Sequence, residues 1–111
     1  NQTNKNINRN AWMNEFVEEL KPYIRRDNTY TKSVYSCCEN EKLYQKLRQY
    51  ERIFVTGVVA ECCVLSTVLD LVDMGKKVVY LQEGIAGESR KKEEEVVSVL
   101  KGMSPVHILF R

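Results

Sequence analysis

Apolar positions along this chain fall into short clusters whose period switches repeatedly between helical and extended. Trp12, Phe16, Val17 and Leu20 recur at helical spacing and predict an amphipathic helix over about 11–21. Pro22 sits where that helix ends or gains one more turn. Thr29–Tyr35 (TYTKSVY) is rich in β-formers and reads as a short strand with Lys32 inside it. Asn40 is placed to cap a short helix with Leu43, Tyr44 and Leu47 on its inner face. Ile53–Thr56 is an apolar strand closed by Gly57, and Val58–Glu61 is a turn. Over Cys62–Met74 a helix is predicted, because Val64, Val68, Leu71 and Val72 recur on one face. Gly75 is its natural stop, and Lys76 and Lys77 suit its negative end. Val78–Leu81 is a further strand, 88–101 a helix with Val96, Val97 and Leu100 facing inward, and Val106–Phe110 a last strand.

Helices and strands thus alternate with short links, which argues for an α/β fold: a three-layer α-β-α arrangement around a parallel, Rossmann-like sheet. The stretch 52–110 holds two consecutive βαβ units. About four strands, one of them very short, make a thin sheet, and an apolar strand such as 53–56 expects a neighbour on each side. A strand missing from the sheet is therefore expected. Residues 1–10 include five Asn and read as a loop or frayed end, leaving 11–111 for a single domain.

Composition narrows the function classes. With 111 residues the chain makes one domain, and 17 Lys+Arg against 15 Asp+Glu give a net charge of +2, too small to argue for a nucleic-acid surface. The tyrosines are scattered without a stacking stripe, which also speaks against RNA. Apolar runs fall far short of the ~20 residues that span a bilayer, so no membrane partner is expected. The basic triplet Arg90–Lys92 adjoins Glu93–Glu95 and reads as a solvated helix face rather than a phosphate site.

Four cysteines occur as adjacent pairs, Cys37-Cys38 and Cys62-Cys63. Adjacent residues are a poor chelate and rarely bond each other, so neither structural zinc nor a disulfide scaffold is expected. Reduced thiols in a cytoplasmic protein are the expectation, with any reactive exception in an electropositive, accessible position. For Cys37 and Cys38, packing is preferred over lining a pocket.

The segment 53–67 is where chemistry is expected. A strand ends in glycine, four residues turn, and a cysteine pair opens a helix, at the strand end where open α/β sheets bind ligands. Unpaired N–H groups at a helix start favour a thiolate and can hold an oxyanion. Cys63 falls on the first turn of the predicted helix, and Cys62 precedes it. From the residues alone, a catalytic and a packing cysteine both stay open. His107, the one histidine, lies far from this segment in sequence, which argues against a Cys–His pair.

The run from Gly57 to Thr67 (GVVAECCVLST) resembles the nucleophile segment of the isochorismatase-like cysteine hydrolases, a superfamily that includes nicotinamidases and related amidohydrolases. Gly75-Lys76-Lys77-Val78 and Gln82–Gly87 (QEGIAG) continue the match, the latter at a loop of the family. Thr31–Ser36 (TKSVYS) resembles the family's upstream lysine segment. The resemblance implies Cys63 as nucleophile, Lys32 as stabiliser of its thiolate, and a non-proline cis peptide at Val58–Val59. The N–H groups of Val59 and Cys63 would then form the oxyanion hole. It implies hydrolysis of a C–N bond in a small amide or related substrate through a thioester, with no cofactor and no metal held by these residues. Ala60 and Glu61 stand where the family has Thr and Asp, both mild departures. The family's first strand, with its catalytic Asp and the metal ligands of the nicotinamidase branch, has no counterpart after Asn1. The chain is therefore expected to be a C-terminal portion, inactive alone. It would be completed by an N-terminal segment of the same protein or by another subunit, and assembly into a homo-oligomer is expected.

Two other readings compete. A non-catalytic interaction module would keep the fold without the acid and would leave Cys63 an ordinary thiol. A redox-sensing vicinal-thiol protein would lose two thiols reversibly on mild oxidation.

Overall fold

The computed structural model describes residues 18–103 and 106–111. Its framework is three parallel strands in the order β1-β2-β3: β1 Arg52–Val58, β2 Lys77–Ala86 and β3 Ile108–Phe110. Among the described residues three α-helices flank the sheet: α1 Glu41–Leu47, α2 Leu65–Asp73 and α3 Arg90–Met103. This is an α/β fold of the expected class, with consecutive βαβ units as the alternation predicts.

Alternation along the strands sets their faces. On β1, Ile53 and Val55 turn toward the core while Phe54 and Val58 stay exposed. The register places Ile53 beside Val78 and Val78 beside Ile108, so one row of side chains crosses all three strands. Helix α2 lays Val68 and Leu71 against this core, and α3 adds Val96 and Leu100, all buried. Tyr80 is the largest fully buried side chain among the described residues, and its ring meets that of Phe110 at a centroid distance of 5.4 Å.

Local chemistry fixes the helix ends. The Asn40 side chain accepts the Leu43 N–H at 3.0 Å and caps α1. Ser89 accepts the Lys92 N–H at 3.2 Å at the start of α3. After α2, Gly75 adopts φ +81, which a Cβ would penalise.

Several boundaries differ from the sequence reading. Thr29–Tyr35 forms no strand. Its carbonyls are taken by side chains instead of a ladder: Asn40 Nδ2 donates to Thr31 O at 2.8 Å and Lys32 Nζ to Val34 O at 2.8 Å. Lys32 is exposed on this irregular segment, not inside a strand. Strand β2 runs on through Gln82–Ala86, where a loop is the sequence expectation, because Ile85 and Ala86 pair with Gly57 and Val58 beyond a register shift. Gly57 is inside β1 at φ +125 rather than closing it. Strand β3 begins at Ile108, two residues later than read. Residues Glu18–Tyr23 form a 3-10 helix, and Trp12, Phe16 and Val17 of the predicted first helix lie outside the described residues. Among the described residues, no helix is long and apolar enough to cross a membrane.

Candidate active site

The chain leaves β1 through the peptide Val58–Val59, which is cis. It then winds a single wide turn over Ala60–Val64 before α2 begins. The N–H groups of Cys62 and Val64 both point to the Val59 carbonyl, at 3.0 and 3.2 Å, and Cys63 lies between them. The second of these bonds spans five residues, the signature of a π-turn, a geometry enriched at functional sites. The helix therefore opens at Ala60, two residues earlier than the spacing of Val64, Val68 and Leu71 predicts.

This turn and the irregular 29–36 segment meet over a groove of about 330 Å³ along β1. Lys32, Cys37, Cys63 and Thr67 line it together with apolar side chains of β1 and α1. Lys32 Nζ lies 3.4 Å from Cys63 Sγ and donates to the Val34 carbonyl at 2.8 Å. The lysine is steered from behind, since Asn40 holds Thr31 O while capping α1. Of the residues singled out in the sequence, Lys32, Val58 and Cys63 thus share one groove. Val59 adjoins it through the cis peptide. Cys62, by contrast, does not line the groove.

Cys37, for which the sequence favours packing over lining a pocket, lines the groove. Its N–H donates to Thr67 Oγ1 at 3.1 Å. A hydrogen bond from Cys38, then the Thr67 hydroxyl and the Lys32 charge, outweigh its burial and bring the thiol down to about 6. The same pairing pushes Cys38 up, reinforced by burial. Thr67 carried a signal in the sequence, four residues after Cys63, but its partner could not be read there.

Glu61, a mild departure from the family's pattern, ties the turn to the far end of β2. Its carboxylate accepts the Glu88 N–H at 3.1 and 3.3 Å, and Glu93 accepts the Gly87 N–H at 3.0 Å. A Cβ on Gly87 would stand 2.5 Å from Glu61 Oε1, so a larger residue there would push the carboxylate aside.

The Isochorismatase domain description matches residues 1–106. The chain belongs to the isochorismatase domain family. Solved structures agree with that assignment. A pyrazinamidase of Pyrococcus horikoshii in complex with zinc is 29% identical, with 73% of this chain and 45% of that one covered and a TM-score of 0.63. The nicotinamidase/pyrazinamidase PncA from Bacillus subtilis is 23% identical, covering 86% and 56%, with a TM-score of 0.71. A MAR1 ribonuclease from Caenorhabditis elegans is 22% identical, covering 86% and 49%, with a TM-score of 0.74. The latter two, below a quarter identity, speak for the fold. The chain spans about half the length of these relatives. No curated protein matches the chain.

The zinc of the Pyrococcus relative finds no equivalent ligand set among the described residues, which hold no group of three or more His, Cys, Asp or Glu side chains able to share a metal. His107 gives its carbonyl to the Val78 N–H at 2.7 Å, between β2 and β3, and lines a different cavity from Cys63.

Proposed function

We propose that this chain carries the nucleophile half of a cysteine-dependent hydrolase that cleaves the C–N bond of a small amide. The observation that carries the reading is the contact of Lys32 Nζ with Cys63 Sγ at 3.4 Å. The named relatives include an amidase and a ribonuclease on one fold, so the substrate class is argued from the site and not from the fold.

In this reading the Cys63 sulfur attacks the amide carbonyl carbon and the carbonyl oxygen becomes an oxyanion held by the N–H groups of Val59 and Cys63. The C–N bond then breaks, the amine or ammonia leaves with a proton from an acid, and a thioester stays on Cys63. Water attacks the thioester, the C–S bond breaks, and the acid is released with the thiolate restored. Lys32 holds the negative charge on sulfur at both ends of the cycle. Lys32 is exposed on this chain, where solvent screens such a charge. Covering the groove raises its effect by excluding water.

The acid/base carboxylate and the cover are assigned to a segment outside these residues: an N-terminal segment of the same protein or another subunit. Two observations favour that assignment. The chain spans about half the length of its relatives. The groove also runs along β1, which is the edge of the sheet among the described residues.

The test is ammonia release by the full-length protein from a panel of small carboxamides that includes pyrazinamide. Wild type is expected to turn over at least one member, and the Cys63→Ser variant none. A covalent acyl adduct on Cys63, seen by intact mass under acid quench, would accompany turnover. Undiminished turnover by the serine variant would overturn the reading.

A further inference from the structure

Hydrolysis as proposed uses one sulfur, yet the groove holds a second. Cys37 opens a single 3-10 turn, Cys37–Glu39, and is half-buried. Its N–H is fixed on Thr67 Oγ1 at 3.1 Å. Thr67 lies four residues beyond Cys63, past the π-turn and inside α2, and lines the same groove. The hydroxyl that anchors Cys37 thus belongs to the groove that Cys63 lines. Lys32 contacts Cys63 Sγ at 3.4 Å, and its charge also acts on Cys37. All of these residues line one groove. The other two cysteines are placed differently: Cys38 is buried with its thiol pushed up, and Cys62 is absent from the groove lining.

We propose that Cys37 and Cys63 form a dithiol modification site that hydroperoxides close to a disulfide. The Cys63 thiolate attacks one oxygen of the hydroperoxide. The O–O bond breaks, hydroxide or alkoxide leaves, and the sulfur becomes a sulfenic acid, oxidised by two electrons. The Cys37 thiolate then attacks that sulfur, the S–S bond forms, the S–O bond breaks, and hydroxide departs to take a proton as water. The peroxide is reduced by two electrons and two thiols are oxidised. Pairing runs between the two CC pairs rather than within either, because an adjacent-residue disulfide closes a strained ring. The proposal stands on the groove's geometry and is independent of the hydrolase reading, although in that reading the disulfide would also silence the nucleophile.

The reduced full-length protein, in its native assembly, is treated with a small excess of hydrogen peroxide, blocked with N-ethylmaleimide, digested and mapped by mass spectrometry. Loss of two of the four thiols at 37, 38, 62 and 63 is expected, with a linked pair of tryptic peptides covering 33–42 and 53–76 that dithiothreitol separates. Cys38→Ala and Cys62→Ala are expected to keep the link. Cys37→Ser, which retains the backbone N–H to Thr67, is expected to lose it and to leave a dimedone-reactive sulfenic acid on Cys63. A link within 37–38 or within 62–63 would overturn the proposal. So would conversion of Cys63 to sulfinic acid while Cys37 stays reduced. Neither readout uses hydrolytic activity, so a failure here is distinct from a failure of the proposed function.

Discussion

Lys32 Nζ stands 3.4 Å from Cys63 Sγ although 31 positions separate the two residues in the chain. Nothing regular holds the lysine there. Its segment has no ladder, and its position depends on side chains that bind the backbone on either side of it, Asn40 at Thr31 O and Lys32 itself at Val34 O.

Removing the charge at Lys32 should therefore impair chemistry and spare the fold. Lys32→Met in the full-length protein is expected to lower kcat/KM for a turned-over amide by about 10²–10³-fold, the usual loss on deleting one group that holds developing charge. Because the side chain is exposed, the urea midpoint should move by no more than about 0.5 kcal/mol equivalent. Equal activity of the variant would remove Lys32 from the mechanism.

Asn40 offers a separation of stability from positioning. Asn40→Asp keeps the oxygen that caps α1 but loses the N–H₂ donor to Thr31 O. It should retain most of the stability and lower activity. Asn40→Ala loses both and should cost about 1 kcal/mol or more in denaturant unfolding. If Asp and Ala behave alike in both assays, the bond to Thr31 has no positioning role.

Glu61 and Gly87 should behave as one device. Glu61→Ala strips a carboxylate from the exposed Glu88 N–H and is expected to destabilise by about 0.5–1.5 kcal/mol, with faster amide exchange at Glu88. Gly87→Ala drives a Cβ into Glu61 Oε1 and should release the same amide. In the double variant the two losses should be less than additive, since both act on one contact. Full additivity would show that the residues act separately.

Backbone geometry alone makes Gly57 necessary. No atom lies within 4 Å of a Cβ built there, yet φ is +125, a region costly for any side chain. Gly57→Ala is expected to cost about 1–3 kcal/mol without a steric clash, measured by urea unfolding.

The two thiols of the 37–38 pair should titrate apart. Alkylation of Cys37 by iodoacetamide needs the thiolate, so its rate should rise with pH through about 6 and level off above. Cys38→Ala removes the hydrogen bond that lowers Cys37 most, and the midpoint should move up toward the ordinary value of 9.0. An unchanged midpoint would mean that Thr67 and Lys32 suffice.

Much of this was legible in local patterns. The face of α2 that carries Val68 and Leu71, the cap at Asn40 and the stop at Gly75 each depend on residues a turn or two apart. The segment around Cys63 stood out for the same reason, as a strand, a glycine, a turn and a helix start in succession. The short strand expected at 29–35 failed because β-propensity cannot report whether a ladder partner exists. In its place, two side chains satisfy the carbonyls.

By itself, then, the sequence determined the alternation of helices and strands, the parallel sheet and the segments that mark the family, because periodicity and caps act over a few residues. Tertiary structure alone decided that Lys32 meets Cys63, that Cys37 rather than Cys62 shares their groove, that β2 runs on to Ala86, and that Glu61 reaches Glu88. Those are hydrogen bonds and pairings between distant segments, and their partners are chosen by how the whole chain packs, which no local spacing encodes.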